Sequence, residues 1–221
     1  MMRFLLLSLL LSCKGRLNLI VIIYEPGIDM NRFIDLCYEI TKKTGKEFWT
    51  LPQFFVFRTL GEYTQIDTLN MSSTILYKIR VPRKEIGLYI KNPLILWTDD
   101  AEKHKLKLKR GDSYHRFQED LSVMSKYDPI VFTQYDKYNY KNLKDALYND
   151  EHMLEIRQNS YSAVFDTRLL INTILNPNLD EVGLKLCHND SPLLINYNYG
   201  VFDVYALIAP KLCKCTNFLR V

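Results

Sequence analysis

Two polar pairs, Asp99-Asp100 and Asn189-Asp190, come closest in type and spacing to ligands for a divalent cation. Carboxylate oxygens bind Mg²⁺, and a bound cation could support phosphodiester hydrolysis. Such a site needs a further acidic ligand at a fixed distance, and none can be identified for either pair. Asp and Asn are also favoured at hairpin turns for backbone reasons. The sequence therefore predicts turn residues at both pairs.

Sulfur and imidazole ligands are scattered. Cys213 and Cys215 stand close together, and His188 beside Cys187 is their nearest candidate partner in sequence. An odd number of cysteines with wide gaps favours a reducing compartment over a disulfide framework; these are Cys13, Cys37, Cys187, Cys213 and Cys215. The histidines are isolated, without a nearby nucleophile: His104, His115, His152 and His188. We therefore expect neither a metal nor a cofactor.

The signatures of common enzyme classes are also missing from the sequence. It contains no glycine-rich phosphate loop, no GxSxG elbow and no HExxH motif. With 8 glycines in 221 residues there is little material for a nucleotide cradle. We predict a non-enzymatic binding protein, although a site assembled from scattered residues is an alternative that sequence leaves open.

Composition bounds the possible partners. The 221 residues are 48% hydrophobic and 24% charged, which is ordinary for a globular chain of one large domain or two of about 100 residues. The formal net charge of +4 permits a nucleic acid or another anionic partner without requiring one.

The amino-terminal residues 1–13, MMRFLLLSLLLSC, are typical of a secretory leader. A transmembrane helix is disfavoured because Lys14 and Arg16 interrupt the apolar run before about 18 residues accumulate. An unstructured or wrongly assigned start and a helix added to the fold are the competing interpretations. The sequons at Asn70 and Asn189 are compatible with secretion.

Hydrophobic periodicity predicts strands and helices in alternation. In the first half the predicted strands are 17–24, 54–58, 64–69, 74–81, 94–97 and 104–109, and the predicted helices are 30–43 and 83–91. In the second half the strands are 129–134, 161–165, 181–187, 193–199 and 203–209, and the helices are 113–126 and 167–175.

The order of elements repeats. The strand–helix–strand–strand unit at 74–109 returns about 85 residues later at 161–199, and the helix at 113–126 mirrors the helix at 30–43. We predict an α+β fold of two similar domains, 16–110 and 111–215, with helices on one face of antiparallel sheets. Residues 1–15 are then a leader or disordered start, and 216–221 a tail.

Residues 165–211 resemble the carboxyl-terminal part of the DNA sliding-clamp family of proliferating cell nuclear antigen. The resemblance lies in the Phe165-x-x-Arg168-x-Leu170 helix, the strand Ser191-Pro192-Leu193-Leu194-Ile195-x-Tyr197 and the terminal Ala209-Pro210-Lys211. It implies a sliding-clamp fold whose helices line a central hole and whose edge strands join protomers into a homotrimeric or heterotrimeric ring. The implied partners are duplex DNA, held without sequence preference, and polymerase, clamp loader or repair proteins.

The resemblance also implies a set of basic residues facing the hole, where they would contact phosphates weakly. These are Lys42, Lys43, Lys46, Arg83, Lys84, Lys91, Arg116, Lys126 and Arg168. Acidic residues share these helices, and a mixed-charge face is also typical of ordinary solvated helices.

A groove for partner peptides is implied at Leu207, Ile208, Ala209, Pro210 and Lys211. Only Arg110, Gly111 and Asp112 separate the predicted strand 104–109 from the helix at 113, so the long connector of the family has little room. A checkpoint-type or viral clamp subunit therefore fits as well as a replicative one, in a nuclear or viral replication compartment. The alternative is a secreted or lipid-anchored α+β binding protein, which the leader supports.

Overall fold

The computed structural model describes residues 5–6, 23–24, 30–44, 52–70, 72–86, 88–89, 94–99, 105–108, 125–149, 153–211 and 218–220. In the first half these form β1 (Leu5–Leu6), β2 (Ile23–Tyr24), α1 (Met30–Thr44), β3 (Pro52–Leu60), β4 (Tyr63–Asn70), β5 (Ile75–Pro82), α2 (Arg83–Ile86), β6 (Leu88–Tyr89), β7 (Leu94–Asp99) and β8 (Lys105–Leu108).

The second half contains α3 (Asp128–Val131), β9 (Asp136–Asn139), α4 (Tyr140–Asn149), β10 (Met153–Gln158), β11 (Tyr161–Asp166), α5 (Thr167–Thr173), β12 (Glu181–Lys185), β13 (Leu193–Tyr199), β14 (Phe202–Ile208) and β15 (Phe218–Arg220). Among the described residues, no helix is long and apolar enough to cross a membrane.

One nine-stranded sheet runs through both halves of the chain, in the order β8-β7-β3-β4-β5-β14-β13-β12-β9. All of its neighbouring strands are antiparallel, and β5 joins β14 with Ile75 opposite Ile208. Two three-stranded sheets, β1-β2-β6 and β11-β10-β15, complete the described strands. The predicted α+β class with antiparallel sheets is confirmed.

Strand alternation gives the large sheet two different faces, because successive side chains point to opposite sides. Phe55, Phe57, Ile75 and Tyr77 join the main core with the buried residues of α1, α4 and α5. Phe54, Val56, Leu76, Leu194 and Leu207 form a second cluster with Val131. We call these the helix face and the strap face, the strap being residues 127–135, which contain α3.

The leader and first strand are only partly described. Leu5 and Leu6, inside the predicted leader, pair with Tyr24 and Ile23 respectively, so β1 has a place in a sheet. Of the predicted strand 17–24, Ile23–Tyr24 is described and forms β2. The remainder of both segments lies outside the described residues.

Two predictions of local structure were wrong, and one helix was missed. The helix expected over 83–91 ends at Ile86 and is followed by β6. The strand expected over 129–134 is the helix α3 and a turn, because Pro129 sits in the first helical turn and has no N–H to give to a sheet. The helix α4 was not predicted at all. Most of the helix expected over 113–126 lies outside the described residues.

The repeat of element order is not a repeat of strand pairing. β5 and β11 were expected to be equivalent, yet β5 lies inside the nine-stranded sheet and β11 lies in a three-stranded one. The later hairpins do correspond, since β7 pairs with β8 as β12 pairs with β13. Between β8 and β9 the chain passes through residues 109–135, which include the strap. The short connector expected at Arg110, Gly111 and Asp112 lies outside the described residues.

Candidate nucleic-acid face and partner-binding face

Three helices form the helix face. α5 contacts both α1 and α4, and each helix buries an apolar stripe at helical spacing: Leu36, Cys37 and Ile40; Leu143 and Leu147; Leu169 and Leu170. The carboxyl end of α5 is fixed to the sheet, because the hydroxyl groups of Tyr77 and Tyr197 donate to the Thr173 carbonyl at 3.2 and 2.8 Å. Burial, the largest cause, raises the pKa of both phenols, which keeps them protonated as donors.

The predicted DNA-facing cations fall into several environments. Lys42 is exposed on α1. Lys43 is half-buried and donates from Nζ to the carbonyl of Ile174 at the end of α5. Because that bond ties α1 to α5, Lys43 has a structural role in addition to its charge. Lys46, Lys91 and Arg116 lie outside the described residues.

Arg83 and Lys84 belong to α2, which contacts β5. The Arg83 backbone N–H donates to the Glu62 carbonyl at 2.7 Å, and its guanidinium reaches the Gly61 carbonyl at 3.5 Å. Arg83 therefore holds the turn between β3 and β4. Lys84 is exposed beside it.

Lys126, another of the predicted DNA-facing cations, lies next to the strap in the chain. It is exposed next to Tyr127, at the start of the strap. Tyr127 and Val131 pack against Phe54, Leu76 and other residues of the second cluster. The contact of Lys126 with DNA stays a prediction.

The missed helix α4 adds basic residues to the helix face. Lys141 is exposed and Lys144 half-buried. Two signals could have revealed the helix. Asn139 caps it, since its side-chain oxygen accepts from the Asn142 N–H at 3.1 Å, and Leu143 and Leu147 are spaced by one turn.

A short pattern, Asp-x-x-Tyr, occurs on both α1 and α4. It comprises Asp35 with Tyr38 and Asp145 with Tyr148, and both tyrosines are exposed large side chains, at 43% and 66%. This shared pattern makes α4 a further candidate counterpart of α1, and most of the helix predicted at 113–126 lies outside the described residues. The face they share is mixed in charge, with an excess of cations over acids among its described exposed and half-buried side chains.

One buried carboxylate joins residues that the sequence assigned to two different roles. Asp166 caps α5 through the Arg168 N–H at 2.9 Å, and it also contacts the Arg168 guanidinium at 3.2 Å and Lys211 Nζ at 2.8 Å. Burial favours a higher pKa for Asp166, but hydrogen bonds from Arg168 and Lys211 outweigh it and lower the pKa below its ordinary value. Arg168, expected to face DNA, and Lys211, expected in the peptide groove, thus meet at one junction.

The other predicted groove residues are largely covered. Leu207 is buried in the second cluster with Val131, and Ile208 points into the main core. Ala209 and Pro210 are half-buried, and the Ala209 N–H donates to the Thr74 carbonyl at 2.8 Å. The Lys211 N–H donates to the Val164 carbonyl at 2.7 Å, which fixes the chain beside β11. The expected groove therefore has the strap over part of it.

A buried ion pair network lies under the strap. Lys78 on β5 is fully buried, and its ammonium group lies 3.1 Å from Asp67 on β4 and 2.6 Å from Asp128 on the strap. Asp67 is also fully buried and accepts from Arg58 and from the Gln65 amide. A lysine ammonium group that is shielded from water needs such partners, because burying a charge without a counter-charge destabilises the folded state. The network therefore attaches the strap to the middle of the sheet.

Aromatic contacts also attach the strap to the sheet. The Arg80 guanidinium lies 3.1 Å from the centroid of the Phe132 ring, and Phe132 meets Tyr205 edge-on at 5.0 Å. Burial, as the largest cause, lowers the pKa of Arg80 from its ordinary value. Tyr135 packs over Gly183, where an added Cβ would come within 2.8 Å of the Tyr135 Cβ. A side chain at position 183 would therefore displace the end of the strap.

The candidate metal ligands do not assemble in the described part of the chain. Among those residues, no three His, Cys, Asp or Glu side chains come together as a metal-binding group. The Asn189-Asp190 pair lies at a turn beside β11: the Asn189 side chain accepts from the Ser162 N–H at 2.9 Å, and the Asp190 N–H donates to the Ser162 carbonyl at 3.0 Å. Asp190 has a φ of 53°, which Asp tolerates better than most residues. Asp99 ends β7, and Asp100 lies outside the described residues, as do Cys213 and Cys215.

The chain is similar to several solved structures of proliferating cell nuclear antigen. For that of A. fulgidus bound to the C-terminal region of FEN-1, the identity is 10%, the match covers 81% of this chain and 96% of the other, and the TM-score is 0.48. For the structure from Thermococcus kodakaraensis, the identity is 14%, the match covers 83% of this chain and 98% of the other, and the TM-score is 0.45. For the structure from Entamoeba histolytica, the identity is 10%, the match covers 81% of this chain and 95% of the other, and the TM-score is 0.46. No protein-family model and no curated protein matches the chain. These likenesses concern the same family that the sequence resembles, and at this level they carry no functional conclusion.

Proposed function

We propose that this chain is a subunit of a sliding clamp, a non-enzymatic ring that encircles duplex DNA and tethers polymerase, clamp loader or repair proteins. The observation that carries the proposal is the continuous nine-stranded antiparallel sheet with α1, α4 and α5 all on one face. An arc built in this way presents helices to one side and strands to the other. Residues 16–110 and 111–215 are its two domains, joined where β5 pairs with β14.

The two ends of the sheet supply the surfaces for ring closure. β8 and β9 are its outermost strands, and β9 is short, with Asp136, Lys137 and Asn139 exposed. Edge strands are ready to pair with another chain, and a head-to-tail arrangement closes when the rotation per subunit is right. The ring contains copies of this chain or this chain with related subunits, in a nuclear or viral replication compartment.

The helix face suits sliding better than tight binding. Lys42, Lys141, Lys144 and Arg168 provide scattered positive charge, while Asp35 and Asp145 limit its density. Contacts to phosphates are independent of sequence and weaken with salt. A ring closed around DNA is not released by salt, so a wash in high salt distinguishes encirclement from binding through phosphate contacts alone.

The test exploits topology. The chain is incubated with a linear duplex, the duplex is ligated into a circle, and the mixture is washed in high salt during gel filtration. A ring threaded before ligation remains on the circle and is released when the circle is cut once. Equal retention on linear and circular DNA, or loss from both in high salt, would contradict encirclement.

A charge variant checks which face meets the DNA. In Lys42→Glu/Lys144→Glu the low-salt association with linear duplex should fall, because both residues lie on the helix face. The matched control is Arg157→Glu, an exposed cation on β10, which is not a strand of the nine-stranded sheet. A loss that is equal in the control would place the contact elsewhere.

A further inference from the structure

Side chains of the strap hold it against the sheet. The described backbone hydrogen bonds of α3 run within the strap: the Ile130 and Val131 N–H groups donate to the Tyr127 carbonyl, and the Phe132 N–H donates to the Asp128 carbonyl. The Tyr135 hydroxyl returns to the Val131 carbonyl at 2.7 Å. The strap is therefore a self-contained helical turn that lies on the sheet as a bound peptide would.

Its contacts have the composition of a peptide-binding site. Val131 is completely buried in the apolar cluster that contains Leu207, whereas its neighbour Ile130 is 38% exposed. Asp128 supplies a carboxylate to the buried Lys78, and Phe132 supplies a ring between Arg80 and Tyr205. One anchor of each kind, apolar, acidic and aromatic, thus comes from a single turn.

The network under the strap can tolerate its departure. Lys78 keeps Asp67 at 3.1 Å when Asp128 leaves, so no buried ammonium is left without a counter-charge. Asp128 is already 29% exposed, and its carboxylate is readily hydrated once it leaves the sheet. The apolar cluster is different, because it would face water unless another segment covered it.

We propose that the strap is an internal ligand of the partner-binding face, and that a partner segment binds by replacing it. The incoming segment carries the chemistry of the strap: a helical turn with an acidic residue, an aliphatic residue three positions later and an aromatic residue directly after that. This inference rests on the proposed role of residues 207–211 in partner binding. It adds that the chain itself regulates access to that face.

Competition from the strap determines how tightly an external peptide can bind. A segment tethered beside its site acts at an effective concentration of about millimolar, so an external peptide competes poorly with it. Weakening the strap lets the external peptide bind at much lower concentration. A peptide with the strap's own sequence is the appropriate probe, because its fit to the site is already given by the structure.

The experiment uses a fluorescein-labelled synthetic peptide of residues 126–135 and the full chain, with fluorescence anisotropy as the readout. Val131→Asp places a charge in the apolar cluster and expels the strap, whereas Ile130→Asp makes the same change at the exposed neighbour. We expect the peptide to bind Val131→Asp at least about tenfold more tightly than it binds the unaltered chain or Ile130→Asp. A folded Val131→Asp chain that binds no better than Ile130→Asp would overturn the proposal.

A milder variant keeps the test decisive if Val131→Asp does not fold. Asp128→Asn removes only the carboxylate that meets Lys78, and it too should raise affinity for the peptide, by several-fold. A peptide in which the residue equivalent to Asp128 is Asn should bind Asp128→Asn more weakly than the original peptide does. Equal affinity of the two peptides would contradict recognition of the acid by Lys78.

The result is independent of DNA and of ring closure. Strap displacement with no retention on circular DNA would disprove the clamp and leave the internal ligand intact. Retention on circular DNA without strap displacement would support the clamp and disprove the internal ligand.

Discussion

Replacing the buried Lys78 with methionine should destabilise the chain strongly. The substitution keeps most of the side-chain volume but leaves the fully buried Asp67 and the partly exposed Asp128 without the ammonium that lies 3.1 and 2.6 Å from them. Removing one partner of a buried ion pair costs about 3–5 kcal/mol. Asp67 retains Arg58 and Gln65, so we expect a loss of about 2–3 kcal/mol in the free energy of unfolding.

Urea denaturation followed by circular dichroism measures this loss, and thermal unfolding should show a decrease of about 4–12 °C in Tm. The matched control is Lys137→Met, whose ammonium is exposed and pairs with the exposed Glu181; it should show no measurable change. Adding Asp128→Asn to Lys78→Met should recover part of the lost stability, because one unpaired carboxylate is removed. A Lys78→Met chain as stable as the unaltered chain would refute the inference that this lysine holds the strap to the sheet.

The remaining predictions concern four other positions. Asp166→Asn should lower stability at pH 7; because the folded pKa of Asp166 is lowered, its contribution is lost as the pH falls through that value, and urea curves of the two chains should converge in acid once the carboxylate is protonated. Gly183→Ala should cost about 1–3 kcal/mol by overpacking, since its Cβ would meet Tyr135 at 2.8 Å, and equilibrium denaturation measures it. Tyr38→Ala/Tyr148→Ala should leave thermal stability nearly unchanged, because both rings are exposed on the helix face, and differential scanning calorimetry checks this.

Sequence patterns were informative where one face of an element is buried. α1 begins at Met30 and ends at Thr44, close to the predicted 30–43, because Leu36, Cys37 and Ile40 mark its buried stripe. The strands β4, β5, β13 and β14 were similarly recognisable from β-branched and aromatic runs. These elements carry their own signal, so no knowledge of their neighbours was needed.

The failures have physical causes. Residues 129–134 have the apolar and aromatic content of a strand. Pro129 and the burial of Val131 in the second cluster nevertheless favour a helical turn. α4 was missed because its buried residues are few, Tyr140, Leu143 and Leu147 within a polar, tyrosine-rich stretch. Tertiary packing decided the strap, and a single sequence does not contain it, whereas α4 left only the weak signals of the Asn139 cap and the spacing of its two leucines.

The candidate sites were harder to foresee than the fold. A sequence gives no reason to connect Arg168 with Lys211, because the carboxylate that joins them is brought to Lys211 only when β11 and the end of β14 come together. The same holds for Lys78 and Asp128, which lie on β5 and on the strap. Charge pairs between distant segments follow from topology, so they appear only with the structure.

The measurement that tests the clamp most directly is the solution mass of the full chain by light scattering over a dilution series. If the ring contains only copies of this chain, we expect a closed oligomer with three times the mass of one chain, which persists on dilution because every edge strand in a ring is paired. A chain that is monomeric at every concentration would contradict a ring built from this protein alone.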